Sequence, residues 1–486
     1  MVKFMTLPPE LILSIYKEVT PQERKHLRLL CSYFNNILKE EILSCLRIDI
    51  HAPLFLLRCD ISAFQNLVRR NNARRSLSVV MIKPANGLLV KAPTLPRIDE
   101  TTLDLLSKIL GSVTELRSFS WTLHYGASRN GMPLLVDWLK QIKGLREFNV
   151  HLMDHVPSLG LALHASSIST LTKLRVLSTG SKSLFNEGTF IDDISAIIAD
   201  APQLREIRAI QDNSVDIFAN VVHNSSRTSD AAVLFSRARR DRSSALTSLV
   251  LEGLAIRCLT PNVLFYIRSL CHFSYLPPDK PSLGSTYGYA REEQQDFYGP
   301  LWTTLNKEKI YHLQTLQTTA LHSTLWPYLA KLSHLKRLSL TPPRPAQERQ
   351  DETLLENFRE VALPALAPHL EELVITAHLG SSCWCFDDGL GEVLKAHPLP
   401  KLKYLEVSLS APGDGGWARP SVVQIYSSRG PPEWQPNAIF EKVHKLNETW
   451  KKAGCDKDNI WVCHTLISSS RGKVDADGDL FTDLVH

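Results

Sequence analysis

Several features are missing from this 486-residue chain, and each absence closes off a class of protein. No uncharged apolar run approaches the ~18 residues that a membrane-spanning helix needs, so no membrane span is expected. The N-terminus shows no basic stretch followed by an apolar segment and a small-residue cleavage site, which speaks against a secretory route. The cysteines, Cys31, Cys45, Cys59, Cys258, Cys271, Cys383, Cys385, Cys455 and Cys463, are odd in number and follow no framework spacing. They read as reduced thiols, with a cytoplasmic and/or nuclear location expected. The sequons at Asn224 and Asn447 are then chance matches.

An excess of charge is also missing. Lys+Arg number 55 against 50 Asp+Glu, a net +5 too small for this length to argue for a polyanionic partner. The basic clusters Arg69 to Arg75 (RRNNARR) and Arg237 to Arg242 (RARRDR) are not interleaved with the aromatic residues that stack on bases. They read as solvated segments, and nucleic acid is not expected as a partner.

Catalytic motifs are absent as well: there is no Gly-rich phosphate cradle, nucleophile elbow or His-Glu-x-x-His. STGSKS (Ser178 to Ser183) lacks full P-loop spacing and reads as a turn. The pair Cys383 and Cys385, and Cys463-His464, lack the spacing of structural zinc ligands, because a one-residue gap crowds two thiolates. DADGD (Asp475 to Asp479) has its glycine at the fourth position where a calcium loop needs it at the sixth. No catalytic residue, no metal site and no cofactor is therefore expected, and the chain is not expected to be an enzyme.

What the chain does contain is a repeat. Leu-x-x-apolar-x-apolar recurs as LRSFSW from Leu116, LREFNV from Leu145, LRVLST from Leu174, LREIRA from Leu204 and LTSLVL from Leu246. It returns as LCHFSY from Leu270, LQTLQT from Leu313, LKRLSL from Leu335, LEELVI from Leu370 and LKYLEV from Leu402. The final positions alternate apolar with polar, as a strand with one buried face must, and the preceding segments run at helical spacing. MPLLVDWLKQI (Met132 to Ile142) and FIDDISAIIADAP (Phe190 to Pro202) are two such helices.

A helix followed by a short parallel strand, repeated, resembles an irregular leucine-rich-repeat solenoid, with strands concave and helices convex. The usual Asn or Cys after each strand is mostly absent, and the steps between leading leucines range from 22 to 43 residues. Pro277 to Pro300 reads as a long surface loop and Thr341 to Glu352 as a shorter one. After Leu409 the pattern breaks into SAPGDGGWARP and SSRGPPEWQPN, then an amphipathic segment from Asn437 to Lys452 and a strand-like IWVCHTLI.

The N-terminus is different again. Pro8 and Pro9 suit a first helical turn, and Leu7, Leu11, Ile15 and Val19 form one stripe widened by Ile12 and Tyr16. Thr20, Pro21 and Glu23 announce a second helix with an apolar face of Leu27, Leu30, Cys31 and Phe34. A third segment carries Ile37, Leu38, Ile42, Leu43 and Leu46. Three helices in ~40 residues make a core too small to stand alone, so something else must cover them.

These residues, over about 5 to 45, resemble an F-box: Leu-Pro-x-Glu, an apolar helix, a proline-containing turn and a Cys-x-x-aromatic ending. Arg24 and Lys25 stand where that family usually carries apolar residues. The resemblance implies docking on the Skp adaptor of a cullin-RING ubiquitin ligase through Leu7, Pro8, Glu10, Leu11, Ile15, Leu27, Leu30, Cys31 and Phe34.

The fold class expected is α/β, a short three-helix F-box ahead of a leucine-rich-repeat solenoid. Its regions are 1–48 (F-box-like), 49–410 (solenoid) and 411–486 (C-terminal cap). The function implied is non-catalytic substrate recognition in an SCF-type E3 ligase, with an unknown protein target; the alternative is a repeat scaffold outside ubiquitination. Alternation within each strand places Ser118, Ser120, Glu147, Asn149, Glu206, Arg208, Arg337, Ser339, Glu372, Tyr404 and Glu406 on the concave side. Of these, Glu147, Asn149, Glu206, Arg208, Arg337, Glu372, Tyr404 and Glu406 are the candidate substrate-binding residues. Their mixed charge suits a protein or modified peptide better than a polyanion.

Overall fold

A computed structural model describes residues 45–49, 76–80, 100–111, 113–123, 132–152, 158–179, 189–212, 230–237, 244–277, 292–342, 348–376, 382–384, 389–397, 399–409, 421–426 and 467–469. The adaptor-docking residues Leu7 to Phe34 lie outside the described residues, as do the basic cluster at 69–75, the segment 437–452 and DADGD. The chain divides into two compact units, Met1–Leu246 and Thr247–His486.

In the first unit six parallel strands follow one another in chain order: β1 (Cys45–Asp49), β2 (Ser76–Val80), β3 (Ser118–Leu123), β4 (Glu147–Leu152), β5 (Lys173–Thr179) and β6 (Glu206–Asp212). Helices α1 (Glu100–Gly111), α2 (Met132–Leu139), α3 (Ala165–Thr170) and α4 (Phe190–Asp200) precede β3, β4, β5 and β6. The return of each strand beside its predecessor without reversal is what a helical crossover permits and a hairpin does not.

The second unit continues the scheme with parallel strands β7 (Ser248–Glu252), β8 (His272–Leu276), β9 (Thr315–Thr318), β10 (Arg337–Leu340), β11 (Glu372–Ile375) and β12 (Tyr404–Leu409). Between them run α5 (Pro261–Ile267), α6 (Glu292–Lys307), α7 (Leu325–Leu329), α8 (Glu348–Asn357), α9 (Leu363–Leu366) and α10 (Gly389–Ala396). Past β12 the sense of pairing changes: β13 (Ser421–Tyr426) and β14 (Ile467–Ser469) are antiparallel.

Register explains the repeat. Phe119, Phe148, Leu174 and Ile207 occupy one cross-strand row in the first unit, and Leu249, Phe273, Leu316, Leu338, Leu373 and Leu405 occupy the matching row in the second. All are buried, so each contributes roughly 1.5–3 kcal/mol of transfer free energy against the exposed chain. Three residues earlier sit the leading leucines, also buried: Leu116, Leu145, Leu171 and Leu204, then Leu246, Leu270, Leu313, Leu335, Leu370 and Leu402.

One of these differs from the sequence reading. Leu174 pairs with Phe148, so the leading residue of that repeat is Leu171 and the unit is LTKLRV, three residues earlier than LRVLST. Both frames begin with leucine, but only the earlier one buries Val176 and leaves Leu177 half-exposed. Leu46 differs too: expected in a third helical segment, it lies in β1, paired with Leu77. Strand β1 carries the full motif in LSCLRI from Leu43, whereas β2 has the repeat geometry with Arg74 in the leading position. The long loop from Pro277 ends earlier than expected, because Glu292 to Pro300 belong to α6, and Glu348 to Glu352, expected in a loop, open α8.

Helix starts follow local chemistry. Thr189 accepts a hydrogen bond from the Ile191 N–H (3.3 Å), with Asp192 and Asp193 in the first turn of α4 where the helix dipole favours negative charge. Thr260 accepts from Val263 N–H (3.3 Å) ahead of Pro261, which lacks the donor that the first turn would leave unpaired. Gly299 of α6 lets the helix pack closely against His322: a Cβ there would stand 2.9 Å from the His322 ring, which would have to shift.

Aromatic side chains satisfy several buried backbone carbonyls. Trp138 Nε1 donates to the Leu110 and Val113 carbonyls (2.8 and 3.1 Å), Trp302 Nε1 to Ala320 (2.9 Å) and Tyr328 Oη to Ile310 (2.7 Å). Buried backbone carbonyls between repeats therefore find donors on rings that also fill the core.

Candidate binding surface

Because successive residues of a strand face opposite ways, every buried row has an outward one beside it. In the first unit the outward rows are Ser118–Glu147–Lys173–Glu206, then Ser120–Asn149–Arg175–Arg208, then Thr122–His151–Leu177–Ile210. These side chains are half-buried or, for Arg175, exposed. The expected residues Glu147, Asn149, Glu206 and Arg208 all fall here, so the alternation argument holds for their placement.

The first of these rows neutralises itself. Lys173 Nζ stands 3.7 Å from both Glu147 Oε1 and Glu206 Oε2, and Arg175 Nη2 lies 3.5 Å from Glu206 Oε1. The second row begins with a neutral link, Asn149 Nδ2 donating to Ser120 Oγ (3.1 Å), and ends with two arginines, Arg175 and Arg208, in register on β5 and β6. Like charges facing across a strand pair repel. Arg208 Nε is buried with no hydrogen-bond partner, and among the described residues no carboxylate pairs with this side chain. In the third row His151 Nε2 and Thr179 Oγ1 are 3.0 Å apart. Along the edge where the strands begin, Arg117, Arg146 and Arg205 are exposed on three of four successive repeats.

The second unit's outward rows are Ser248–His272–Thr315–Arg337–Glu372–Tyr404 and Val250–Ser274–Gln317–Ser339–Val374–Glu406. Charge here is paired off. Arg337 Nε meets Glu372 Oε1 at 3.1 Å, and the Tyr404 hydroxyl donates to the Glu406 carboxylate. His272 Nδ1 and Thr315 Oγ1 are 3.0 Å apart, and Ser274 Oγ donates to Gln317 Oε1 (3.1 Å). At the strand-entry edge Glu371 lies between Lys403 (2.6 Å) and Lys336 (3.4 Å), and the Lys403 hydrogen bond leads in holding its carboxyl below the usual range.

Sequence reasoning missed Lys173 and Arg175, the cations that pair with Glu147 and Glu206 on the first unit's face. The signal was present in LTKLRV, whose correct frame puts both outward, but the competing frame from Leu174 hid it. The neutral residues Ser274 and Gln317 carried no signal beyond their strand position. Ser178 and Thr179, the start of STGSKS, end strand β5, and Cys383 and Trp384 of CWC form a short 3-10 turn with Trp384 fully buried. Cys258, Cys271 and Cys383 are not joined in disulfides, and among the described residues no group of three His, Cys, Asp or Glu could hold a metal ion. Among the same residues no helix is long and apolar enough to cross a membrane.

No protein-family model matches the chain, and no curated protein does.

Proposed function

We propose that this chain is a non-catalytic substrate-recognition subunit of an SCF-type E3 ubiquitin ligase: residues 5–45 dock on the Skp adaptor, and the outward strand faces hold a protein target. The observation that carries the reading is the combination of two features in one chain. One is the in-register LPPE, TPQE and Cys-x-x-Phe signals between Leu7 and Phe34; the other is an α/β repeat whose open strand faces are lined by half-exposed polar side chains. A receptor of this kind needs no nucleophile. It works by proximity, turning the meeting of a target lysine with activated ubiquitin into a local event.

Leu7, Pro8, Leu11, Ile15, Leu30 and Phe34 would form the apolar docking stripe, with the remaining motif residues Glu10, Leu27 and Cys31 supporting the helices. The test is co-purification of the full chain with a Skp-type adaptor. Leu7→Ala with Pro8→Ala should remove the adaptor from the purified complex, and retention of it would overturn this docking surface. Affinity purification after proteasome inhibition, followed by mass spectrometry, would then identify the target.

A second reading has an observation of its own. Strand β1 starts at Cys45, directly after the stretch of about residues 5 to 45 in the sequence that carries the motif. In a repeat scaffold the same helices would serve to cap the sheet's first strand. That reading expects Leu7→Ala with Pro8→Ala to lower thermal stability and no adaptor to co-purify with the unaltered chain.

A further inference from the structure

We infer that the strand-entry rim of the second unit, the edge along which β9 to β12 begin, is a docking surface for an Asp/Glu-rich stretch of a partner protein. Lys307, Lys309, Lys331, Lys336, Lys401 and Lys403 are the receiving charges. The rim uses none of the outward-row residues and none of residues 5–45.

The repeat itself builds this edge. The residue after each leading leucine is tied to the next repeat by a backbone hydrogen bond: Lys336 N–H donates to the Gln314 carbonyl (2.8 Å), Glu371 N–H to Lys336 (2.8 Å) and Lys403 N–H to Glu371 (2.7 Å). Successive repeats therefore stand about 5 Å apart along the rim. His312, His334, His369 and Lys401 each come one residue before a leading leucine, and Lys309 and Lys331 come four before. All six lysines are exposed, as are His312 and His334.

The lysines form two clusters. Lys331 Nζ lies 2.9 Å from Asn306 Oδ1 and 5.8 Å from the Tyr311 ring centroid, which brings it against the segment carrying Lys307 and Lys309. Lys336 and Lys403 converge on Glu371, at 3.4 and 2.6 Å, with Lys401 two residues away in the chain. The nearby Glu308 is engaged by Arg268 at 2.6 Å. Six ammonium groups against the single Glu371 carboxylate leave five positive charges uncompensated among the described residues. A helix end favours a cation, which accounts for Lys307 in the last turn of α6 but not for Lys401 and Lys403, five and seven residues past α10.

Lys309 is an independent sign that charge is wanted here. Helix α6 closes with Ile310 N–H donating to the Leu305 carbonyl (3.1 Å) and Lys309 N–H to Asn306 (3.2 Å), a turn whose left-handed position usually holds glycine. Lys309 occupies it with φ of 56°, the only non-glycine residue with positive φ among the described residues. Its side chain is exposed and packs in no core, so stability alone would favour glycine.

The chemistry of the partner follows from what the rim has and lacks. Ammonium groups are point charges without the fixed fork of arginine, so they select charge more than the shape of a phosphate. No aromatic face is open for base stacking, because the Tyr311 hydroxyl is bonded to Asn306 (2.8 Å) and Lys331 lies over its ring. Glu371 stands among the lysines, where a continuous phosphate backbone would meet it and separate carboxylates can straddle it. Three repeat steps span about 15 Å, which about five residues of extended chain cover at roughly 3.3 Å each. His312 and His334 add ring N–H donors for carboxylates between the lysines.

The test is fluorescence anisotropy of a labelled octaglutamate peptide with the full chain, beside octaglutamine and a single-stranded oligonucleotide of similar length. Octaglutamate should bind about tenfold or more tighter than octaglutamine at low salt, and the difference should shrink as salt is raised. K307Q with K309Q and K331Q should remove most of that difference, and so should K401Q with K403Q. K108Q with K140Q, which takes two exposed lysines from the first unit, should leave it intact. K309G decides the matter should the multiple variants fail to fold: its relaxed backbone should raise the melting temperature while affinity for octaglutamate falls about twofold or more. Equal binding of the two peptides, octaglutamate affinity unchanged in either glutamine variant or in K309G, or tighter binding of the oligonucleotide through the same lysines would each overturn the proposal.

Discussion

The outward faces of the two units are built on the same scaffold and carry opposite electrostatic habits. In the second unit charge is settled locally, Arg337 by Glu372 and Glu371 by two lysines, and the central row is mostly neutral. In the first unit Lys173 and Arg175 share Glu206, and Arg208 is left over. The buried rows beneath are alike, leucine and phenylalanine with one isoleucine, Ile207, in register. In a helix–strand repeat, then, the inward residues are interchangeable between units and specify only the fold, while the outward residues vary freely and can be given over to recognition.

The largest effect should come from breaking the inward half of that division. Phe148 is fully buried and stacks on Phe119 with ring centroids 5.9 Å apart. Phe148→Ala should cost about 3–5 kcal/mol by denaturant unfolding, and the adjacent outward change Asn149→Ala under about 1 kcal/mol. Comparable costs for the two would mean that the outward row is structural after all.

An intermediate effect distinguishes the two cores. The second unit relies on Tyr328, whose hydroxyl donates to the Ile310 carbonyl from a buried position beside Trp302. Tyr328→Phe leaves that carbonyl unpaired and should cost about 1–3 kcal/mol. Burial first, and Tyr311 second, push the Tyr328 phenol above its ordinary value. The fold therefore favours the protonated form: its contribution is complete below about pH 10, the unfolded value, and drains away as pH rises beyond it. Alkaline unfolding followed by circular dichroism should set in at higher pH for Tyr328→Phe relative to its own neutral stability.

The smallest effect sharpens the surface comparison. Glu371 is held low by Lys403 foremost, so the pair stabilises the fold above about pH 4.3 and is lost as pH falls below it. Since these groups face water, Lys403→Ala should flatten the acid limb of the stability curve only slightly, and added salt should mask the difference. A large loss on acid titration would show that the second unit's surface pairs matter more than exposed pairs usually do.

Much of the architecture was legible because the repeat writes its own period. Nine of the ten leading leucines fall where the register puts them, and both helices named from their spacing, at Met132 and Phe190, are present. The exception, Leu174 for Leu171, arose because a leucine three residues away starts an equally good match, and only pairing with Phe148 separates the two. Strand β2 escaped notice for the converse reason: SLSVV has the alternation but no leading leucine, since Arg74 stands there, whereas β1 carries the full motif as LSCLRI from Leu43, which the helical reading of Leu43 and Leu46 hid. Helix α6 was read in part as loop because Gly299 and Pro300 are breakers in isolation, and packing against α7 overrides them.

Composition and periodicity alone determined that this chain is an α/β repeat without a membrane-spanning run, and which residues face inward in most of its strands, because burial follows a two-residue period. Which outward charges find partners was decided only in three dimensions. Lys173, Arg175 and Arg208 come from segments of the chain more than thirty residues apart at the extremes, and whether a guanidinium meets a carboxylate depends on the cross-strand register that hydrogen bonding sets, a quantity the linear order of residues does not contain.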